Sequence, residues 1–231
     1  MNKSEFPIVL VDADDTIFDF KKAEYHAFKK TLNFFGEDCG DDDVELYSKI
    51  NLKHWNELEK GLIDRETLKT HRFKEWFDLM GFNLDSEAFN AMYAPSLGDF
   101  SFLIDGAEEF LKKLSEICDV YIVTNGLTVT QTKRFDQSSI KTYIKKIYIS
   151  ESIGYSKPRK EFFDFCMGDI GVSDRSRYII LGDSLTSDMQ GGRNAGIKTC
   201  HFCNDGKISH SYLCDYEITD YNEFFEILKT M

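Results

Sequence analysis

No apolar run in this chain approaches the ~20 residues that a membrane-crossing helix requires, so no membrane span is expected. Positive charge is scarce: 28 lysines and arginines face 40 aspartates and glutamates, leaving a net charge of −12. A protein that wraps nucleic acid needs basic patches, so no nucleic-acid polymer is expected as a partner. The opening MNKSEFPIVLVDADD turns acidic within a dozen positions and shows no secretion-signal pattern. Internal repeats and low-complexity tracts are lacking as well. Without a secretion signal, the six cysteines at 39, 118, 166, 200, 203 and 214 read as reduced thiols of a cytoplasmic protein.

What is present is a chain of 231 residues, rich in aromatics, with 20 Phe and 11 Tyr. It can form one large domain, or a core with a small second one, and can bury roughly 70% of its unfolded surface. Its most informative stretch is VLVDADDTI, Val9 to Ile17. A short apolar β-type run ends in Asp12, Asp14 and Asp15, packed into four positions. Such a cluster at a strand end is costly unless a cation neutralises it. A hard divalent ion such as Mg²⁺ takes oxygen ligands and leaves room for a phosphate. An acidic turn after a strand would look the same locally.

Two further β-rich runs end in polar signals. Val120–Thr124 leads into Thr124-Asn125-Gly126, and Tyr178–Leu181 leads into Gly182-Asp183 with Asp188 beyond. Lys157-Pro158 lies between them, at what reads as a helix start with Pro in the first position. In open α/β sheets, ligands sit at the carboxyl ends of strands, where these residues would converge.

The set Asp12-Ala13-Asp14-Asp15-Thr16, Thr124-Asn125, Lys157-Pro158 and Gly182-Asp183 with Asp188 resembles the four motifs of the haloacid dehalogenase-like hydrolase superfamily. All four occur in order across nearly the whole chain, and the ordered set is far more specific than any one motif. Asp15 departs from the pattern, since many members carry Gly there; its role is not legible. The form DADDT resembles a subgroup that includes bacterial pyrimidine nucleoside monophosphatases.

The alternation of strands and helices predicts an α/β fold with a Rossmann-like, mainly parallel sheet. Strands are expected at 7–12, 119–124, 146–149, 178–182, 198–202 and 215–218. Residues 19–98 read instead as a helical insert, with helices expected over Asp43–Lys60, Arg65–Met80 (Asp64 as N-cap, Gly81 as stop) and Ser86–Tyr93 before Pro95. The division is thus 1–18 plus 99–231 for the catalytic core and 19–98 for the insert. The resemblance implies that the insert is a mobile cap, with hinges at Phe18–Phe20 and Leu97–Phe100. The acidic run from Glu37 to Asp43 lacks the ligand spacing of a calcium loop and reads as a solvated loop ending in a helix cap.

The resemblance implies a Mg²⁺-dependent phosphomonoester hydrolase that works through an aspartyl-phosphate. Asp12 would be the nucleophile and Asp14 the general acid and base. Thr124, Asn125 and Lys157 would bind the phosphate. Asp12, Asp183, Asp188 and the Asp14 backbone carbonyl would hold the metal. The substrate would be a small phosphorylated metabolite, with a nucleoside 5′-monophosphate expected, and the protein a monomer or small homo-oligomer. Trp55, Arg72 and Trp76 in the insert are candidates for reading the substrate, although amphipathic helices bury aromatics routinely.

A 2-haloacid dehalogenase or a phosphomutase of the same superfamily is an alternative. Retention of Asp14 and the extra acids favours phosphate chemistry over dehalogenation. A phospho-accepting signalling protein is disfavoured, because its acid pair and nucleophile lie on different strands. Cys200-x-x-Cys203 with His210 and Cys214 superficially resembles a zinc knuckle. However, alternation along a strand at 198–202 would point Cys200 and His201 to opposite faces, so ordinary thiols are expected.

Overall fold

The computed structural model describes residues 7–231. Among them, β1 (Ile8–Val11), β2 (Asp119–Thr124), β3 (Lys146–Ile149), β4 (Tyr178–Gly182), β5 (Lys198–Phe202) and β6 (Tyr216–Ile218) form one sheet in the order β3-β2-β1-β4-β5-β6. All neighbours are parallel. In β1, Val9 lies between Val120 and Ile179. With partners on both edges and helices on both faces, β1 is buried throughout, which is why it reads as an unbroken apolar run.

Side chains alternate across the sheet and divide the core in two. Val9, Val11, Ile122 and Leu181 pack with α5 (Ala107–Ile117) and α10 (Tyr221–Leu228). Ile8, Leu10, Val123 and Ile180 pack with α8 (Lys160–Ile170) and α9 (Gln190–Ala195). A short π-helical turn, Leu185–Met189, leads from β4 into α9. Helix α7 (Ser150–Ile153) follows β3, and α6 (Thr128–Gln137) follows β2.

The chain divides into two compact units. One holds the described chain up to Asp19, Phe102–Thr128 and Phe135–Met231; the other holds Phe20–Ser101 with Val129–Arg134 of α6. The second unit is helical: α1 (Phe20–Phe34), α2 (Asp41–Glu59), α3 (Arg65–Met80) and α4 (Ser86–Leu97). Helix α3 has the expected bounds, because Asp64 accepts from Thr67 N at 2.8 Å and Gly81 closes it at φ 76°. Helix α1 is not among the expected helices. Its buried stripe includes Glu24 and Thr31, which interrupt the apolar period. Helix α2 starts two residues earlier than expected. Asp41, Asp42 and Asp43 occupy its first turn, where they complement the helix dipole, and Asp43 accepts from Gly40 N. Pro95 does not end α4. The helix continues to Leu97, and the Ala94 and Pro95 carbonyls accept from Thr130 Oγ1 and Lys133 Nζ.

Aromatic residues fill the centre of the helical unit. Phe28 stacks on Tyr47 at 4.0 Å and meets Trp76 edge-on at 4.9 Å, and Phe73 packs on Phe89 and Tyr93. A buried polar chain runs beside them. Glu24 accepts from Ser48 Oγ and Asn51 Nδ2, and Arg72 donates to Asn51 Oδ1 and Asn90 Oδ1. No helix among the described residues is long and apolar enough to cross a membrane.

Candidate active site

Asp12 follows β1, and Asp183 and Asp188 follow β4. These two strands are neighbours, and the sheet order changes direction at β1. A switch point of this kind opens a crevice at the strand ends. There, one carboxylate oxygen from each of Asp12, Asp183 and Asp188 lies within 4.8 Å of the others. The Asp14 carboxylate does not belong to this group of three.

Lys157 reaches the cluster from the turn before α8 and is 1% exposed. Its Nζ donates to Asp12 Oδ1 at 2.5 Å, Asp188 Oδ1 at 2.6 Å and Val123 O at 3.0 Å. All three ammonium protons therefore have partners. Lys157 and Pro158 precede α8 rather than opening it: Arg159 is the N-cap and the helix begins at Lys160. The first-turn place expected for Pro158 is thus corrected. The Lys157 backbone is held by the Asn125 side chain, with Lys157 N donating to Oδ1 and Nδ2 donating to Lys157 O, both at 2.9 Å. This side-chain amide positions the lysine. Thr124 is buried at the end of β2, and its Oγ1 accepts from Gly126 N.

The loop after β1 is tight. Asp15 adopts φ 56°, and its N donates to Phe18 O at 2.8 Å. Asp tolerates this left-handed conformation better than most residues, so Asp15 stands where glycine would be free of strain. Thr16 Oγ1 donates to Asp183 Oδ1 at 3.2 Å and thus orients a residue 167 positions away. Gly182 is required sterically, since a Cβ there would lie 2.4 Å from the Asp188 carboxyl. Ser184 N donates to the other Asp188 oxygen at 3.2 Å.

Three acids share one ammonium. Burial, then the charges of Asp188 and Asp14, push the Asp12 carboxyl up to about 8 against the pull of Lys157. Burial, followed by Asp12 and Asp188, also raises Asp183. Burial opposes the Lys157 charge, yet Asp12 and Asp188 hold its ammonium above the ordinary lysine range. The site is short of positive charge, and its donors are all oxygen. That set fits a small hard divalent cation such as Mg²⁺.

A family model described as haloacid dehalogenase-like hydrolase matches residues 9–202. The chain belongs to this family. Among its relatives, the HAD-hydrolase YfnB of Bacillus subtilis is 34% identical over 221 residues, covering 95% of this chain and 94% of its own. The pyrimidine 5′-nucleotidase PynA of Streptococcus pneumoniae is 30% identical over 96% of this chain and 95% of its own. The pyrimidine 5′-nucleotidase YjjG of Escherichia coli is 28% identical, with 83% and 84% covered. A crystal structure of YfnB bound to magnesium superposes with a TM-score of 0.90 at 33% identity, covering 96% of this chain and 98% of that one. As a haloacid dehalogenase-like hydrolase, the chain is an enzyme with an α/β core.

The insert residues fare differently. Trp76 is 0% exposed, and its indole N–H donates to Asp43 O at 2.9 Å. Arg72 is buried against the Phe73 and Tyr93 rings. Both are core residues of the helical unit, which corrects their expected part in reading substrate. Trp55, on α2, is half-buried.

His201 was not foreseen. It pairs in register with Gly182, and its Nε2 lies 2.8 Å from Asp183 O. Only the pairing of β5 with β4 places it there, and no local sequence signal marks it.

Proposed function

We propose that this enzyme is a Mg²⁺-dependent phosphomonoesterase acting on a pyrimidine nucleoside 5′-monophosphate or a similar small phosphate ester. The observation that carries the reading is Lys157 Nζ bound to both Asp12 and Asp188, the two buried members of a group of three carboxylates. Nucleotide as substrate is supported by the two pyrimidine 5′-nucleotidases among the relatives.

In this reading, an Asp12 carboxylate oxygen attacks phosphorus and the bond to the ester oxygen breaks. Asp14, in its acid form, gives its proton to the departing alkoxide. Water then attacks the aspartyl-phosphate and passes a proton to Asp14, and the bond from phosphorus to Asp12 breaks. Phosphate leaves and Asp14 is again an acid. The Thr124 hydroxyl and the Asn125 backbone N–H would hold phosphoryl oxygens, and the Lys157 charge would offset theirs. Asp12, Asp183, Asp188 and the Asp14 carbonyl would hold Mg²⁺, which supplies positive charge against the repulsion between two anions.

The helical unit acts as a cap in this proposal. Its two connections to the core run side by side, with Asp19 N donating to Phe102 O and Ile104 N to Ile17 O, both at 2.9 Å. Such a paired linker beside the Asp14–Phe18 loop suits a lid that excludes water.

A phosphate-release screen over nucleotides, sugar phosphates and phosphoglycolate, with a halide-release assay on haloacids beside it, each with Mg²⁺ and with chelator, tests the proposal. Nucleotide hydrolysis lost with chelator is expected, as is loss of turnover in a folded Asp12→Asn variant. Full activity after exhaustive chelation would point to dehalogenase chemistry instead.

A further inference from the structure

A second set of metal-binding side chains lies on the far side of His201 from Asp183. The His201 Nε2 faces a carbonyl, which can only accept, so Nε2 carries the proton and Nδ1 keeps its lone pair in the neutral ring. Nδ1 lies 3.3 Å from Cys203 Sγ and 3.4 Å from Glu217 Oε1. One ligand atom from each of the three residues lies within 4.8 Å of the others, and His201 and Cys203 are buried. The Cys203 thiol proton can serve Nδ1. Glu217 then turns a carboxylate oxygen towards the same lone pair, an arrangement that a cation relieves.

The surroundings match a ligand set already oriented. A metal-binding histidine usually donates its other ring N–H to a carbonyl or carboxylate, as His201 does to Asp183. Glu217 Oε1 is fixed by Ser209 N at 3.0 Å and by Ser209 Oγ. Imidazole, thiolate and carboxylate together suit zinc or cobalt, whereas magnesium avoids sulfur. The ligands are not those of the knuckle pattern in the sequence: Cys200 lies in the apolar core and His210 is exposed.

We propose that His201, Cys203 and Glu217 bind one zinc-class divalent cation, separate from the acidic site and independent of the phosphatase reading. With thiolate, carboxylate and neutral imidazole, a doubly charged ion leaves the set neutral. Water completes a four-coordinate shell.

The test is titration of the metal-stripped full-length protein with Co²⁺. Binding at the all-oxygen site gives no sulfur-to-cobalt charge-transfer absorption, so that absorption reports a cysteine ligand, which the Cys203→Ser variant assigns to this site. We expect it to saturate at one equivalent, to be displaced by Zn²⁺ and to resist Mg²⁺. It should persist in Asp12→Asn and in Cys214→Ser and vanish in Cys203→Ser. Glu217→Gln should weaken cobalt binding by at least about tenfold, the lower end of what disturbing a metal site costs. This second variant decides the matter if circular dichroism shows Cys203→Ser unfolded. Absence of the absorption in the wild type, its survival in folded Cys203→Ser, or unchanged affinity in Glu217→Gln overturns the proposal.

Discussion

Asn125 pairs with the backbone of Lys157 as a strand neighbour would, accepting from its N–H and donating to its carbonyl at 2.9 Å each. The contact ties the end of β2 to the turn before α8 and sets where the Lys157 ammonium emerges. Each bond contributes roughly 1 kcal/mol net. Asn125→Ala, which removes both, should lower kcat for phosphate release by about tenfold or more. Asn125→Asp keeps the acceptor and loses the donor, and should fall between. Unchanged kcat at saturating Mg²⁺ and substrate would show that Lys157 needs no such support.

Asp14 follows Asp12 by two positions and stands outside the group of three acids. Asp14→Asn should slow alkyl phosphate esters by about 10²–10⁴-fold, the range of general acid catalysis. Aryl phosphates, whose leaving oxygen needs little protonation, should lose far less. Comparing kcat/KM for both ester types checks this, and equal losses would remove Asp14 from proton transfer.

Trp76 and Trp55 should separate packing from recognition. Trp76→Ala empties a fully buried aromatic site and should cost about 3–5 kcal/mol, read as a lowered urea midpoint. Trp55→Ala should cost much less and alter the order of preferred phosphate esters. An unchanged substrate profile in Trp55→Ala would take that residue out of substrate reading.

Glu24 predicts a pH signature within the helical unit. Burial raises its carboxyl above the ordinary glutamate value of 4.5, despite hydrogen bonds from Ser48 and Asn51 and the charge of Arg72. The folded state then holds the proton more tightly than the unfolded state. Its contribution is fully present below 4.5 and is lost as pH rises through the folded value. Glu24→Gln lacks this dependence, so its stability relative to wild type should rise with pH above 4.5. Urea midpoints for both proteins across that range give the answer, and parallel curves would contradict it.

The amino-acid sequence by itself determined the architecture of the core. Four strands have the bounds read from their apolar runs, and β1 and β6 are shorter at their ends, because short β-branched runs closed by turn residues leave few alternatives. Helix α3 was equally legible, since Asp64 and Gly81 mark both ends locally. Helix α1 and the length of α4 were not, because Glu24 breaks an apolar stripe and Pro95, a usual stop signal, is followed by two more helical residues whose last-turn carbonyls meet Thr130 and Lys133.

Only the tertiary structure decided which carriers of chemistry meet and what each one touches. Lys157 binds Asp12 across 145 positions, and Thr16 turns to Asp183 across 167. Strand register alone sets His201 beside Gly182. Helical periodicity shows which residues share a face but not which face turns inward, so Arg72 and Trp76 read as binding candidates until the packing of the helices buried them.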